Sequence, residues 1–338
     1  MRRPAGFALL LVLAPALAPA ADLAAGGPFE WREHWLLAQG RLTLPPMSPD
    51  PLAPGTTAFS LGFDWGNDLG WEQARAGEST DGRSFLVDGE HRTLAFDVRR
   101  GLSPGLDVGV RVPLEWRGGG VLDGVIEWFH GFTRALGLPD NGRTLFARDL
   151  LRVDLRHDGE PLAWPDPSGT GLGRVELSAR WAPFQGPGMR GAVVLRLALP
   201  TSTGPFGASG TAAAVQVTGA HAFGSATDVY CGFGASFESD THVGGVDYAA
   251  VRPEGFLAFE RRFGRRWSAV AQSNAAGRLV TNVDRYPAIE WYLSLGPRLR
   301  LDSGFILEAG FTENIANQQA TTDFGVQMTL SRRFGTRR

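Results

Sequence analysis

Along most of this 338-residue chain apolar and polar residues alternate one for one, and two residues is the side-chain period of a β-strand. The clearest run places Leu106, Val108, Val110, Val112, Leu114 and Trp116 on one face and Asp107, Arg111 and Glu115 on the other. The last run does the same with Phe324, Val326, Met328 and Leu330 against Asp323, Gly325, Gln327, Thr329 and Ser331, and it ends at Phe334. Further apolar faces begin at Phe59, Leu94, Val175, Val193, Val215, Val229, Leu257, Trp267, Trp291 and Phe305. That makes about twelve runs, an even number, and several approach the 9–11 residues a tilted strand needs to cross a bilayer. The expected fold is an all-β, antiparallel transmembrane β-barrel of about twelve strands, with lipid outside and polar groups inside.

The beginning of the chain agrees with export. Residues 1–20 combine Arg2 and Arg3, an apolar run from Phe7 to Leu17, and Ala18-Pro19-Ala20 as an A-x-A cleavage site, which reads as a signal peptide. The apolar run is too short for a spanning helix. A net charge of −2 argues against nucleic acid as a partner; the expected partners are outer-membrane lipid, the barrel-assembly machinery and a small-molecule solute. Lysine is absent. Cys231 is the only cysteine, so no internal disulfide can form, and its place beside Val229, Phe233 and Phe237 makes it a small apolar filler.

Connection lengths alternate. Short turns at 101–105, 185–191, 224–227, 264–266 and 302–304 all fall at one end of the strands, with longer polar loops at the other. Outer-membrane barrels keep short turns in the periplasm and long loops outside. Trp65, Trp116 and Trp291 fall at the outer ends, and Trp181, Phe223, Phe263, Trp267 and Phe334 at the inner ends, as two aromatic girdles would. Arg332 takes an apolar-register position, expected at the inner rim where its side chain can snorkel. The inward positions carry mixed charge: Asp97, Arg99, Asp107, Arg111, Glu115, Glu176, Arg180 and Arg196, followed by Glu238, Glu260, Arg298 and Glu308. Interleaved signs point to internal salt bridges in the lumen more than to an ion-selective pore.

Two segments break the pattern. Residues 118–171 form an insertion between the third and fourth strands, and within it 121–136 reads as an amphipathic helix. At about 100° per residue, Asp123, Glu127, His130 and Arg134 share a polar stripe, opposite Val125, Phe129, Phe132 and Leu136. The stripe is a candidate binding row, able to hold a divalent cation or to use His130 as a general base; the alternative is a helix simply docked on the barrel. Ser168 is the nearest nucleophile, but no G-x-S-x-G surrounds it, so a hydrolase is a minor reading and the chain is expected not to be an enzyme. No metal and no cofactor is expected. The second segment, 21–55, contains Trp31, Trp35 and a Pro-rich run at 45–54. It is either a periplasmic lead-in or a plug inside the lumen.

Several stretches resemble the exported bacterial family known as domain of unknown function 3187. They are F-L-V-D-G-E-H-R at 85–92, V-R-V-P at 110–113, G-G-V-L-D-G-V-I-E-W-F-H at 119–130 and N-G-R at 141–143. The most specific part runs through Asp123, His130 and Arg143, which adds Arg143 to the candidate binding residues. G-L-G-R-V-E-L from 171 and L-A-L-P-T-S-T-G from 197 are similar to barrels of the fatty-acid and aromatic-hydrocarbon transporter type, with Arg174 where those barrels carry an acid. The resemblance implies an outer-membrane barrel and supplies no catalytic residue. The expected function is passive passage or binding of a small molecule, hydrophobic or not, with a non-transporting envelope barrel as the alternative.

Overall fold

A computed structural model describes residues 26–33, 35–73, 83–135, 146–165, 168–186, 188–206, 210–314 and 322–335, with the side chains of Gln73, Arg83, His130 and Thr133 left aside. The signal-peptide and Arg143 readings fall outside these residues. Twelve strands form the wall: β1 Thr57–Gln73, β2 Arg83–Ser103, β3 Leu106–Gly118, β4 Glu176–Gln185, β5 Met189–Ala198, β6 Ala212–Phe223, β7 Thr227–Glu238, β8 Val251–Phe263, β9 Trp267–Gly277, β10 Ile289–Arg300, β11 Phe305–Asn314 and β12 Thr322–Phe334. Each pairs antiparallel with the next, and β1 pairs with β12 from Thr57↔Phe334 to Asn67↔Phe324, so the sheet closes on itself. Closure removes the edges of the twelve-stranded wall and leaves none of its strands with an unpaired flank. Among the described residues no helix is long and apolar enough to cross a membrane.

The period of two decides which way each side chain faces. On β8, Val251, Leu257 and Phe259 are exposed, while Arg252, Glu254 and Glu260 are buried in the interior. The same holds around the ring, so a belt of exposed Phe59, Leu61, Phe96, Val110, Leu195, Val217 and Met328 covers the outside. Cys231 is exposed in this belt. At the outer end, Trp65, Arg92 and Trp116 lie side by side on β1, β2 and β3. The Arg92 guanidinium stacks over both rings, at 4.5 and 4.3 Å. At the inner end Phe59 meets Phe334 edge-on across the closing seam, at 5.7 Å. Arg332 lies over the rings of Phe305 and Phe334, both at 4.8 Å.

Connections 104–105, 186–188, 224–226, 264–266 and 301–304 share the inner end with Thr57 and Phe334. At 264 the backbone is left-handed, φ 84°, and no atom lies within 4 Å of the place a Cβ would take, so conformation and not space calls for glycine there.

The helical part of the insertion lies on the outside of the wall. Its helix, α1 Asp123–Ala135, begins where the Glu90 carboxylate on β2 accepts the backbone N–H groups of Val121 (2.7 Å) and Leu122. A carboxylate there satisfies donors that no preceding turn can reach and complements the helix dipole. Asp123 accepts from Asn67 Nδ2 of β1 at 2.9 Å, and Phe129 packs against Phe311 of β11 (6.1 Å) and Phe324 of β12 (6.5 Å). The short strands Arg152–His157 and Gly169–Leu172 extend the wall at the outer ends of β2 and β3.

Candidate functional site

Residues 26–33 and 35–56 run inside the cylinder. Starting at the inner end, Gly27 N–H donates to Glu260 (2.9 Å) and its carbonyl accepts from Arg298 (2.9 Å). The chain climbs past Glu30, paired with Arg99, Arg32, paired with Glu176, and Glu33, paired with Arg252. It turns through a short 3₁₀ helix, Leu36–Ala38, under the outer loops. It then descends: Leu42 N–H donates to Glu238 (2.7 Å), Leu44 N–H to Glu254 (2.9 Å) and Leu52 N–H to Asp107 (2.8 Å). Gly55 and Thr56 exchange hydrogen bonds with Gly101 at the inner rim. The segment is therefore a hairpin-shaped plug with both feet at one end.

Width explains why two passes suffice. Twelve strands about 4.8 Å apart and tilted by about 40° enclose a backbone cylinder roughly 24 Å across. Two extended passes, each about 10 Å thick with side chains, fill most of it.

Among its described residues the plug has no strand partner, so polar and charged side chains of the wall satisfy its backbone. Carboxylates take its N–H groups as above. Its carbonyls accept from Arg180 at Ser48 (2.8 Å), from Thr218 at Met47 (2.6 Å) and from Gln185 at Pro49 (3.2 Å). The five prolines at 45, 46, 49, 51 and 54 lower the number of donors needing such a partner. Phe29 and Trp31 fit because β11 and β12 present glycine inward: a Cβ at Gly325 would stand 3.0 Å from the Trp31 ring.

The eight inward charges read from the sequence occupy this interior. Asp107 pairs with Arg180, Arg111 with Asp97 (3.1 Å) and Arg196 with Glu176 (3.7 Å), while Arg99 and Glu176 also hold the plug. Glu115 lines a cavity with Arg111 and Arg174. Burial opposes ionisation of the plug's Glu30, but the Arg99 guanidinium beside it prevails and brings the carboxyl down to about 2.

The three largest of the cavities beside the plug succeed one another along the β1–β3 side. The outermost, ≈ 30 Å³, lies among Gln39, Arg41, Arg117, Trp164, Phe206 and Tyr248. The middle one, ≈ 50 Å³, shares Gln39, Gly40 and Arg41 with it and reaches Asp64 and Arg111. Those two residues also line the innermost, ≈ 130 Å³, which ends at Ser331 and Arg333. Above them an apolar cap buries the plug's tip: Trp35, Leu36 and Leu37 pack with Phe85, Val87, Leu155, Tyr248, Val280 and Tyr286. The outermost cavity is walled by two guanidinium–ring stacks, Arg41 over Tyr248 (3.8 Å) and Arg117 over Phe206 (4.4 Å).

A family model described as protein of unknown function (DUF3187) matches residues 7–334. The chain belongs to the DUF3187 family. A search of curated proteins gives no match. Among solved structures, an outer membrane channel from Pseudomonas putida F1 superimposes with a TM-score of 0.58 at 12% identity, over 86% of this chain and all of that one. The CymD monoaromatic hydrocarbon channel gives 0.42 at 11%, over 85% and 90%. The toluene transporter TodX of Pseudomonas putida gives 0.42 at 11%, over 83% and 89%. At 12% identity the likeness to the first of these is one of fold: this DUF3187 chain is a closed twelve-stranded antiparallel barrel of the outer-membrane type, with one helix between β3 and β4.

The helix stripe of this DUF3187 barrel lies elsewhere, on the outer wall. Asp123 is buried and accepts from Asn67 and from the Asp149 N–H (2.6 Å), and Glu127 pairs with Arg148. Arg134 is exposed in the last turn. The side chains of Asp123 and Glu127 are thus engaged in docking the insertion. Ser168 is exposed just before the strand Gly169–Leu172. Among the described residues one group has metal-ligand spacing, His157, Asp158 and Asp284. There Asp284 already accepts the backbone N–H groups of Asp158 and Gly159, both at 3.0 Å, so its carboxylate staples a loop. The plug residues Glu30, Arg32, Glu33 and Arg41 were absent from the residues singled out by periodicity. Their signal was the proline run and the surplus of inward charge.

Proposed function

We propose that this protein is an outer-membrane channel for a small molecule, with residues 26–56 as a removable plug that holds the lumen shut. What supports the reading is how the plug is held: by side-chain hydrogen bonds and ion pairs to the wall, and by no strand pairing along its two passes. Such contacts can be broken one at a time without opening the barrel ladder, and water or a solute can replace them. The aromatic and guanidinium walls of the outermost cavity favour a solute with a flat apolar body. The chain would sit in the outer membrane of a Gram-negative bacterium with its short turns in the periplasm, after signal-peptide removal.

A filled lumen also favours a second reading, a barrel that transports nothing. Reconstituting the full protein beside a variant lacking residues 26–54 separates the two. The truncated barrel should swell liposomes in a pentose solution rapidly, and the full protein should show brief, discrete openings in planar bilayers. A full protein that stays silent at every voltage, next to a truncated one that conducts, would leave the plug permanent and the second reading standing.

A further inference from the structure

The apolar arc of α1 is wider than the wall it covers. Leu122, Ile126 and Phe129 turn toward the barrel, with Ile126 fully buried. Val121, Val125, Trp128 and Phe132 lie on the neighbouring arc and are 65, 51, 72 and 57% exposed. At about 100° per residue the centre of this open stripe stands roughly a right angle from the wall-facing side, and the polar stripe of Asp123, Glu127 and Arg134 stands roughly a right angle away on the other flank.

The direction in which the helix runs fixes what these flanks meet. Its start is held at Glu90 and Asn67, neighbours on β2 and β1. Six residues later Phe129 touches Phe324, which is registered with Asn67, and Phe311, registered with Val326 and hence with Trp65. The helix therefore runs across four strands, from β2 and β1 to β12 and β11, near the level of the outer tryptophans. A helix lying tangentially on the wall has one flank turned along the barrel axis toward the membrane and the other toward the outside water. Past the half-buried Phe311, Phe324 and Phe63, its open apolar stripe continues the belt of exposed Leu61, Leu307 and Met328, and among the described residues nothing covers it.

We infer that α1 is an in-plane membrane helix: the stripe Val121–Val125–Trp128–Phe132 is seated in the acyl region of the outer leaflet, with the Glu127–Arg148 pair in the headgroup water. Helices of this kind bury their apolar face about 5–10 Å into the headgroup–acyl boundary. The insertion thereby becomes a lipid contact that fastens one side of the barrel at a set depth.

Spin labels test it. In a Cys231→Ala background, single cysteines replacing Val125, Trp128, Phe132 and, as the opposite flank, Arg134 are labelled in the full protein reconstituted in phosphatidylcholine vesicles. Each barrel is first checked for heat-modifiable gel mobility. Labels at 125, 128 and 132 should be accessible to oxygen and shielded from a water-soluble nickel complex, and the label at 134 should show the reverse. Nickel accessibility at all four positions would overturn the inference, leaving the helix in water. Shielding from both reagents, or dipolar broadening between copies, would overturn it as well, since protein would then cover the stripe.

Discussion

Arg252 is the most demanding single test of how the plug is held. Its guanidinium is almost fully buried on β8, donating from one terminal nitrogen to Glu33 of the plug and from the other to Glu290 of β10, while its Nε reaches the Gly277 carbonyl at 2.8 Å. Glu290 also accepts from the Tyr286 hydroxyl at 3.0 Å. Replacing Arg252 by Gln leaves two buried carboxylates facing each other with no cation between them. Removing one partner of a buried ion pair costs about 3–5 kcal/mol. Glu290 is fixed to the wall, whereas Glu33 can leave with the plug, so withdrawal into water relieves much of that cost. At 1.4 kcal/mol per factor of ten, the ratio of plug-out to plug-in should rise by roughly 10²- to 10³-fold. Glu33→Gln keeps the Arg252–Glu290 pair and loses one charge-assisted hydrogen bond, about 1.5–3 kcal/mol, so its effect should be smaller. The double variant leaves Glu290 alone but removes its repulsion of Glu33, so it should open less often than Arg252→Gln. Open probability in planar bilayers reads the ratio, and protease cleavage of the plug reads it independently. If Arg252→Gln opens no more often than the unaltered protein while its gel mobility shows a folded barrel, or if the double variant is as open as Arg252→Gln, the ion pair does not hold the plug.

Other perturbations probe other contacts. Gly325→Leu would drive a side chain into the Trp31 ring, already 3.0 Å from where a Cβ would stand; overpacking of about 1–3 kcal/mol should show as faster protease cleavage of the plug. Glu90→Ala removes the acceptor of the Val121 and Leu122 N–H groups, and a loss of about 1.5–3 kcal/mol should speed hydrogen exchange at the start of α1 by about 10- to 150-fold, leaving the β6–β8 amides unchanged. Acid should release the plug. With Glu30 lowered from 4.5 to about 2 in the closed state, its contribution is complete above about 4.5 and lost as pH falls toward 2, so open probability should climb below about 4. An open probability that stays level down to pH 2 would contradict the Glu30–Arg99 pairing as the cause.

Much of the wall was readable from the sequence because its signal is local. Leu106 through Trp116 need only their neighbours to show a period of two, and the side facing lipid then follows for every strand. Counting such runs, and noting which gaps were short, gave twelve strands and the common end of the turns. The plug was not readable in this way. Pro45–Pro54 is extended without alternation, since it buries side chains on all sides, and the partners of Leu44 and Glu33 lie 210 and 219 residues away in the chain. The helix fell between these cases. Its stripes were visible at 3.6-residue spacing, but periodicity identifies faces and not what each face meets. Nothing local says that Phe129 rests on the outer wall, or that Asp123 is consumed by Asn67.

The plug's hairpin shape governs how the barrel can be assembled. The segment leads straight into β1, and β1 must find β12 about 270 residues later to complete the ring, so the slowest contact to form is also the one that seals the interior. A straight rod through such a ring would have to be enclosed during closure or threaded afterwards by a free end. A hairpin with both feet at one mouth needs neither: like a bolt it can slide into a finished cylinder, or out of it, bend first or bend last, with no chain end passing through. Sealing the ring and filling it are therefore separable events, and a plug that slips out on a fully closed barrel has a direct way back.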